Sequence, residues 1–111
     1  MRDETGSPGD ESAAFDRKVA KVLDTEADMI REKSEHLMAA GTVTIERPGG
    51  MLNAELRLPR WWRPGVFRDQ ATHCDGRTSS GVIPLDRTMD AATVLSEITL
   101  QLAVSVAWLD E

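Results

Sequence analysis

The stretch TVTIERPGGMLNAELRL, residues 42–58, constrains the fold more than any other part of the chain. Val43 and Ile45 alternate with Thr42, Thr44 and Glu46, while Leu52, Ala54, Leu56 and Leu58 alternate with Asn53, Glu55 and Arg57. A period of two with one apolar set marks a half-buried strand. Pro48-Gly49-Gly50 between the two runs is turn chemistry, so the pair predicts an antiparallel hairpin. With a two-residue loop at Pro48-Gly49, Ile45 stands opposite Leu52 and Val43 opposite Ala54. A four-residue loop slips the register by two and still sets apolar against apolar, so both alternatives bury the same face.

Helical patterns lie on either side of the hairpin. Phe15, Val19, Val22, Leu23, Ala27, Ile30 and Leu37 recur three and four apart, with Arg17, Lys21, Asp24, Asp28, Arg31, Glu32 and Glu35 on the other face. This predicts a long N-terminal helix from Phe15 to Ala40, with Ser12 as N-cap and Gly41 as a left-handed C-cap. A helix that long must lie along a sheet or pair with another helix. A C-terminal helix is expected from Thr88 or Asp90 onward. Leu95, Ile98, Leu102 and Leu109 form one apolar stripe on it, and Leu100, Val104 and Trp108 form a second. Between the hairpin and this helix, Pro59, Pro64, Gly65, Asp75-Gly76, Ser79-Ser80-Gly81 and Pro84 interrupt the chain repeatedly. Val66-Phe67 and Val82-Ile83 could each seed a strand there, and so long a stretch without any structure would be unusual. The fold expected is α+β: a long N-terminal helix, an antiparallel β-hairpin plus one or two short strands, and an apolar C-terminal helix packed on the sheet. Both helices are expected on one face.

The chain has 111 residues, which suits one domain. Residues 1–12 (MRDETGSPGDES) are expected to form a disordered acidic tail, leaving 13–111 as the domain. A net charge of -6 argues against broad nucleic-acid binding, which rests on phosphate neutralisation, and favours solubility and attraction to a basic partner. A single cysteine makes no internal disulfide. The N-terminal residues have no apolar run of the kind a secretory signal carries. The longest uncharged apolar run, Ile98 to Leu109, is short for a bilayer crossing. A soluble, cytoplasmic protein with no membrane contact is expected.

His73-Cys74-Asp75 is the only cluster with reactive potential. A thiol nucleophile needs an imidazole in hydrogen-bond reach, and His36 is the one other histidine that could supply it. The alternative is a turn at Asp75-Gly76 with Cys74 as a small apolar filler. His36, His73 and Cys74 lack the paired short spacing of a metal site. Pro48-Gly49-Gly50 opens no helix and cradles no phosphate. No catalytic residue, metal or cofactor is assigned, and a non-enzymatic protein is expected.

The remaining anomaly is LPRWWRPGVFR, residues 58–68. With Arg57 it holds four arginines, two adjacent tryptophans and no acid. One tryptophan is expected in the core, because the chain has only three Trp, two Phe and no Tyr. The other, flanked by arginines, has the composition of an interaction hot spot. Arg57, Arg60, Trp61, Trp62, Arg63 and Arg68 are therefore the candidate partner-binding residues. The arginines have a second reading, pairing with the acidic helix of their own chain. Leu100, Val104 and Trp108 are the candidate homodimer interface, with burial in the core of the monomer as the other possibility. Together these predict a small interaction module (an adaptor, inhibitor or accessory subunit) that binds another protein and self-associates.

AAGTVTIERPGGMLNAELRLP and DAATVLSEITLQLAVSVAWL, in the order helix, hairpin, apolar helix, resemble the YbaB/EbfC-type nucleoid-associated proteins. That resemblance implies an alternative function, a DNA-binding dimer that sets Arg57, Arg60, Arg63 and Arg68 against phosphates.

Overall fold

A computed structural model describes residues 8–111, with side chains from residue 13 onward. The elements are α1 (Pro8–Thr25), α2 (Ala27–Ala40), β1 (Thr42–Arg47), β2 (Gly50–Arg57), β3 (Gly65–His73), β4 (Thr78–Leu85) and α3 (Ala91–Leu109). The class is α+β, as expected. Of the expected tail, residues 1–7 lie outside the described residues, while α1 begins at Pro8, so Ser12 falls inside the helix and is not its N-cap. The strands form one antiparallel sheet in the order β1-β2-β3-β4, each joined to the next by a short connection.

The first hairpin takes the two-residue loop. Ile45 pairs with Leu52 and Val43 with Ala54, so all four side chains are buried on the helix-covered face. On the other face the Thr44 hydroxyl donates to Asn53 Oδ1 at 2.8 Å. Gly49 is required by close approach, because a Cβ there would run into the carbonyl of Leu109 at the end of α3. The second hairpin occupies the stretch that the turn residues made hard to read. Val66-Phe67 lies in β3 and Val82-Ile83 in β4. Its loop, Cys74 to Gly76, closes with Gly76 N–H on His73 O (2.9 Å) and His73 N–H on Arg77 O (2.7 Å). Gly76 has φ 96, which supplies the left-handed residue of this three-residue loop.

The long N-terminal helix is present but bends at Glu26 into α1 and α2. Hydrogen bonding continues through the bend: Glu26 N–H reaches Val22 O at 2.9 Å, and Ile30 N–H reaches Glu26 O at 3.0 Å. Glu26 itself sits at φ -125, ψ 30, outside helical geometry. Two forces act there. Thr25 Oγ1 donates back to Lys21 O at 2.8 Å, a contact that bends helices. Arg47, at the end of β1, grips the Glu26 carboxylate with both Nη atoms, at 2.5 and 2.6 Å. The same guanidinium holds Asp110, just past α3, through Nε (3.1 Å) and Nη2 (2.7 Å). These bonds, to Glu26 first and then Asp110, raise the Arg47 pKa above its ordinary value.

Helix α2 ends as expected, with Gly41 at φ 87 and its N–H on Leu37 O. It lies over β1 and β2, while α3 lies over β2 and β3, and α1 packs on α3 and α2 rather than on the sheet. Ile30, Leu37, Leu52, Phe67, Ile98, Leu102 and Leu109 fill the space between helices and sheet at 1% exposure or less. Each such side chain contributes roughly 1.5–3 kcal/mol through burial. Of the two candidate caps for α3, Asp90 is the one used: its Oδ1 accepts the Thr93 N–H at 2.8 Å. Thr88 is tied instead to Asp86.

Two expected outcomes follow from these contacts. Arg47→Met leaves two carboxylates facing an apolar side chain, and urea titration should show a loss of about 2–3 kcal/mol, typical of hydrogen bonds to charged groups. Arg47→Lys should recover little of it, since an ammonium lacks the planar fork. The Asp90 carboxyl is held below the ordinary aspartate range, first by the backbone N–H of Thr93. A lowered folded-state pKa stabilises above the ordinary value and loses that contribution as pH falls through the lowered one. The deficit in thermal midpoint of Asp90→Ala should therefore be largest near neutral pH and vanish in acid.

Candidate functional site

The connection from β2 to β3 turns over within four residues. Arg60 and Arg63 exchange backbone hydrogen bonds at 2.9 and 3.0 Å, so Trp61 and Trp62 are the two central residues of a tight turn. Its root is held by buried Pro59 and by Gly65, where a Cβ would strike Arg57 O and Pro59. The tip stands clear of the sheet. Trp61 is 80% exposed and Trp62 57%. Their rings pack edge to face, with centroids 5.5 Å apart at 81°, a favoured aromatic geometry.

This corrects the expectation that one tryptophan belongs to the core. A two-residue turn closed at Arg60 and Arg63 carries both indoles beyond the last sheet residues, where no helix reaches. Phe67 and half-buried Trp108 supply the aromatic packing instead.

Around this tip the four arginines make no ion pair within 4 Å among the described residues, so none is tied to the acidic helix. Arg60 donates only to the neighbouring Pro59 carbonyl, at 3.2 Å. Arg57 and Arg68 project from the uncovered face of the sheet, on adjacent strands, and both are exposed. The candidate residues Arg57, Arg60, Trp61, Trp62, Arg63 and Arg68 thus share one end of the molecule as exposed cations and exposed aromatics.

His73, Cys74 and Asp75 do not assemble as a nucleophile pair. His73 is 6% exposed, and its ring lies between two carbonyls: Nδ1 is 3.1 Å from Gly49 O, and Nε2 is 3.0 Å from Trp108 O. The imidazole also packs on the Trp108 indole at 4.4 Å. It joins the first hairpin turn to the end of α3. Cys74 is exposed, and its N–H also binds Gly49 O. Asp75 accepts the Arg77 N–H at 3.0 Å and Arg77 Nε at 2.9 Å. These bonds, the backbone one first, hold its carboxyl below the usual range. His36 is exposed on α2.

One polar site escaped the sequence. Asp69, on the covered face of β3, is 6% exposed and accepts Ser105 Oγ at 2.6 Å and Gln101 Nε2 at 3.3 Å from α3. Extending the alternation from Phe67 would have turned Asp69, Ala71 and His73 inward together. An acid and a histidine on the core face interrupt the apolar alternation that marks a half-buried strand.

The second stripe of α3 is only partly outward. Leu100 is 53% exposed, but Val104 and Trp108 pack against the core of their own chain. The Arg77 guanidinium lies 5.9 Å from the centre of the Trp108 ring. Trp108 is half-buried, with the His73 ring packed against it. Taken whole, α3 is long and apolar enough, by length and composition alone, to cross a membrane. Here it is the helix on which sheet and α1 converge.

No family model, curated protein or solved structure matches this chain.

Removing the exposed indoles should leave the fold intact. Trp61→Ala/Trp62→Ala should unfold in urea within about 0.5 kcal/mol of wild type, as surface substitutions do. Phe67→Ala, made in the core, should cost about 3–5 kcal/mol.

Proposed function

We propose that this protein is a small non-enzymatic interaction module, acting in the cytoplasm as an adaptor, inhibitor or accessory subunit. Its contact element is the turn Arg60-Trp61-Trp62-Arg63, supported by Arg57 and Arg68. One observation carries this reading: two tryptophans stand in solvent on a closed turn, beside four exposed arginines that make no ion pair among the described residues, in a chain of net charge -6. Large apolar side chains left in water forfeit burial worth roughly 1.5–3 kcal/mol each. Trp and Arg dominate interface hot spots. A turn already closed by its own backbone bonds loses little conformational freedom on docking. The partner this chemistry suits offers an apolar groove bordered by carboxylates.

The test is capture from native lysate by wild type and by Trp61→Ala/Trp62→Ala, followed by calorimetry on the protein recovered. Loss of the pair should weaken binding at least about thirty-fold, near 2 kcal/mol. Raised salt should weaken it further. Equal capture by both forms would refute the role of the turn.

The exposed arginines also favour a second reading, a DNA-binding dimer of the YbaB/EbfC kind. In that case retention on duplex DNA should fall steeply with salt, and reversing the arginine charges should abolish it. Loss of the indoles should then matter little.

A further inference from the structure

We propose that two copies of this chain join through the free edges of β4, extending the sheet from four strands to eight about a two-fold axis at Ser80. The backbone register leads to this. His73 N–H bonds Arg77 O, so the hydrogen-bonded pairs of β3 and β4 fall at every second residue from there: Ala71 with Ser79, Asp69 with Gly81, Phe67 with Ile83. Thr78, Ser80 and Val82 consequently turn their N–H and C=O groups away from β3 to the open edge. The next such position is Pro84, which has no N–H.

The edge therefore presents three donors and stops. An antiparallel copy centred on Ser80 matches them completely. Thr78 N–H meets the C=O of Val82 of the second copy, Ser80 meets Ser80, and Val82 meets Thr78. Pro84 then falls opposite the Gly76 turn, where no ladder bond is needed. Such a contact is isologous and closed.

Charge separates this edge from the other one. Thr78–Leu85 contains no charged residue, and neither does α3 from Ile98 to Leu109 on the same flank. Gln101 of α3 reaches Asp69 beside Gly81, which places the uncharged helix next to β4. The helices lie mainly over β1, β2 and β3. The opposite edge, β1, carries Glu46 and Arg47 and runs beside α2, whose exposed Asp28, Glu32 and Glu35 are interleaved with Arg31 and Lys33. In a chain of net charge -6, the neutral flank is where two copies meet without repulsion. This assigns the self-association to strand edges, with α3 alongside rather than at its centre. It is independent of the tryptophan turn: antiparallel pairing sends the two turns to opposite ends of the extended sheet.

Sedimentation velocity on the full chain at roughly 100 μM tests the contact, since dimer population follows concentration. Wild type should sediment as a dimer. Ser80→Pro removes an N–H that β3 does not use, and Ser80→Lys sets like charges directly opposite each other. Each should raise the dissociation constant about tenfold or more while far-UV dichroism is unchanged. Ser80→Cys in a Cys74→Ser background should form an intermolecular disulfide, because Cα atoms at a hydrogen-bonded pair stand about 5.5 Å apart, within disulfide range. Trp61→Ala/Trp62→Ala should remain dimeric, which separates this contact from the proposed partner site. A monomeric wild type overturns the assignment. So does a dimer that survives both Ser80→Pro and Ser80→Lys, or one abolished only by Leu100→Glu.

Discussion

The guanidinium of Arg47 is the point on which three parts of the molecule close. It sits at the end of β1, takes the Glu26 carboxylate from the bend between α1 and α2, and takes the Asp110 carboxylate from the end of α3. Its side chain is 18% exposed, so these contacts are only partly screened by water. A planar cation with forked donors can satisfy two carboxylates at once, and no neutral group can. The bend follows from this geometry. A straight helix from Phe15 to Ala40 would carry one half away from the sheet, whereas a bend at Glu26 lets α2 lie on β1 and β2 while α1 turns onto α3.

At the same end of the sheet, His73 repeats the logic with backbone groups. Its two ring nitrogens face the carbonyls of Gly49 and Trp108, so the first hairpin turn and the end of α3 are joined through one imidazole. Gly49 is bare because the Leu109 carbonyl needs the room. Polar groups buried between helix and sheet are costly unless paired, and here Asp69, Ser105 and Gln101 also answer one another. The helix–sheet interface is thus apolar in its centre and is fixed in position by a few polar contacts toward α3.

The opposite end of the molecule obeys another rule. Trp61 and Trp62 stand outside the core, and no acid among the described residues pairs with the four nearby arginines. Groups that contribute little to folding, yet are held in place by a closed turn, are available for contact with something else. The two ends are structurally separate: polar bonds lock the covered face near His73, and exposed groups crowd the turn beyond Pro59.

Local pattern was enough for the first hairpin down to its register, because a period of two with Pro48-Gly49 between the runs leaves one face for the core. It was also enough for the Gly41 cap, and for the helical character of 15–40 and of the C-terminal segment. Those features depend on neighbours within a few residues. The second hairpin was less legible, since β3 places Asp69 and His73 on its buried face and β4 is rich in Ser and Gly. Such residues are acceptable in a sheet only once α3 supplies Ser105, Gln101 and the Trp108 carbonyl. The bend at Glu26 depends on Arg47, twenty-one residues later, and the exposure of both tryptophans depends on where the sheet ends. The chain by itself therefore determined elements whose periodicity meets a nearby turn or cap. Tertiary structure alone decided which polar groups are buried, because that depends on partners brought together from distant parts of the chain.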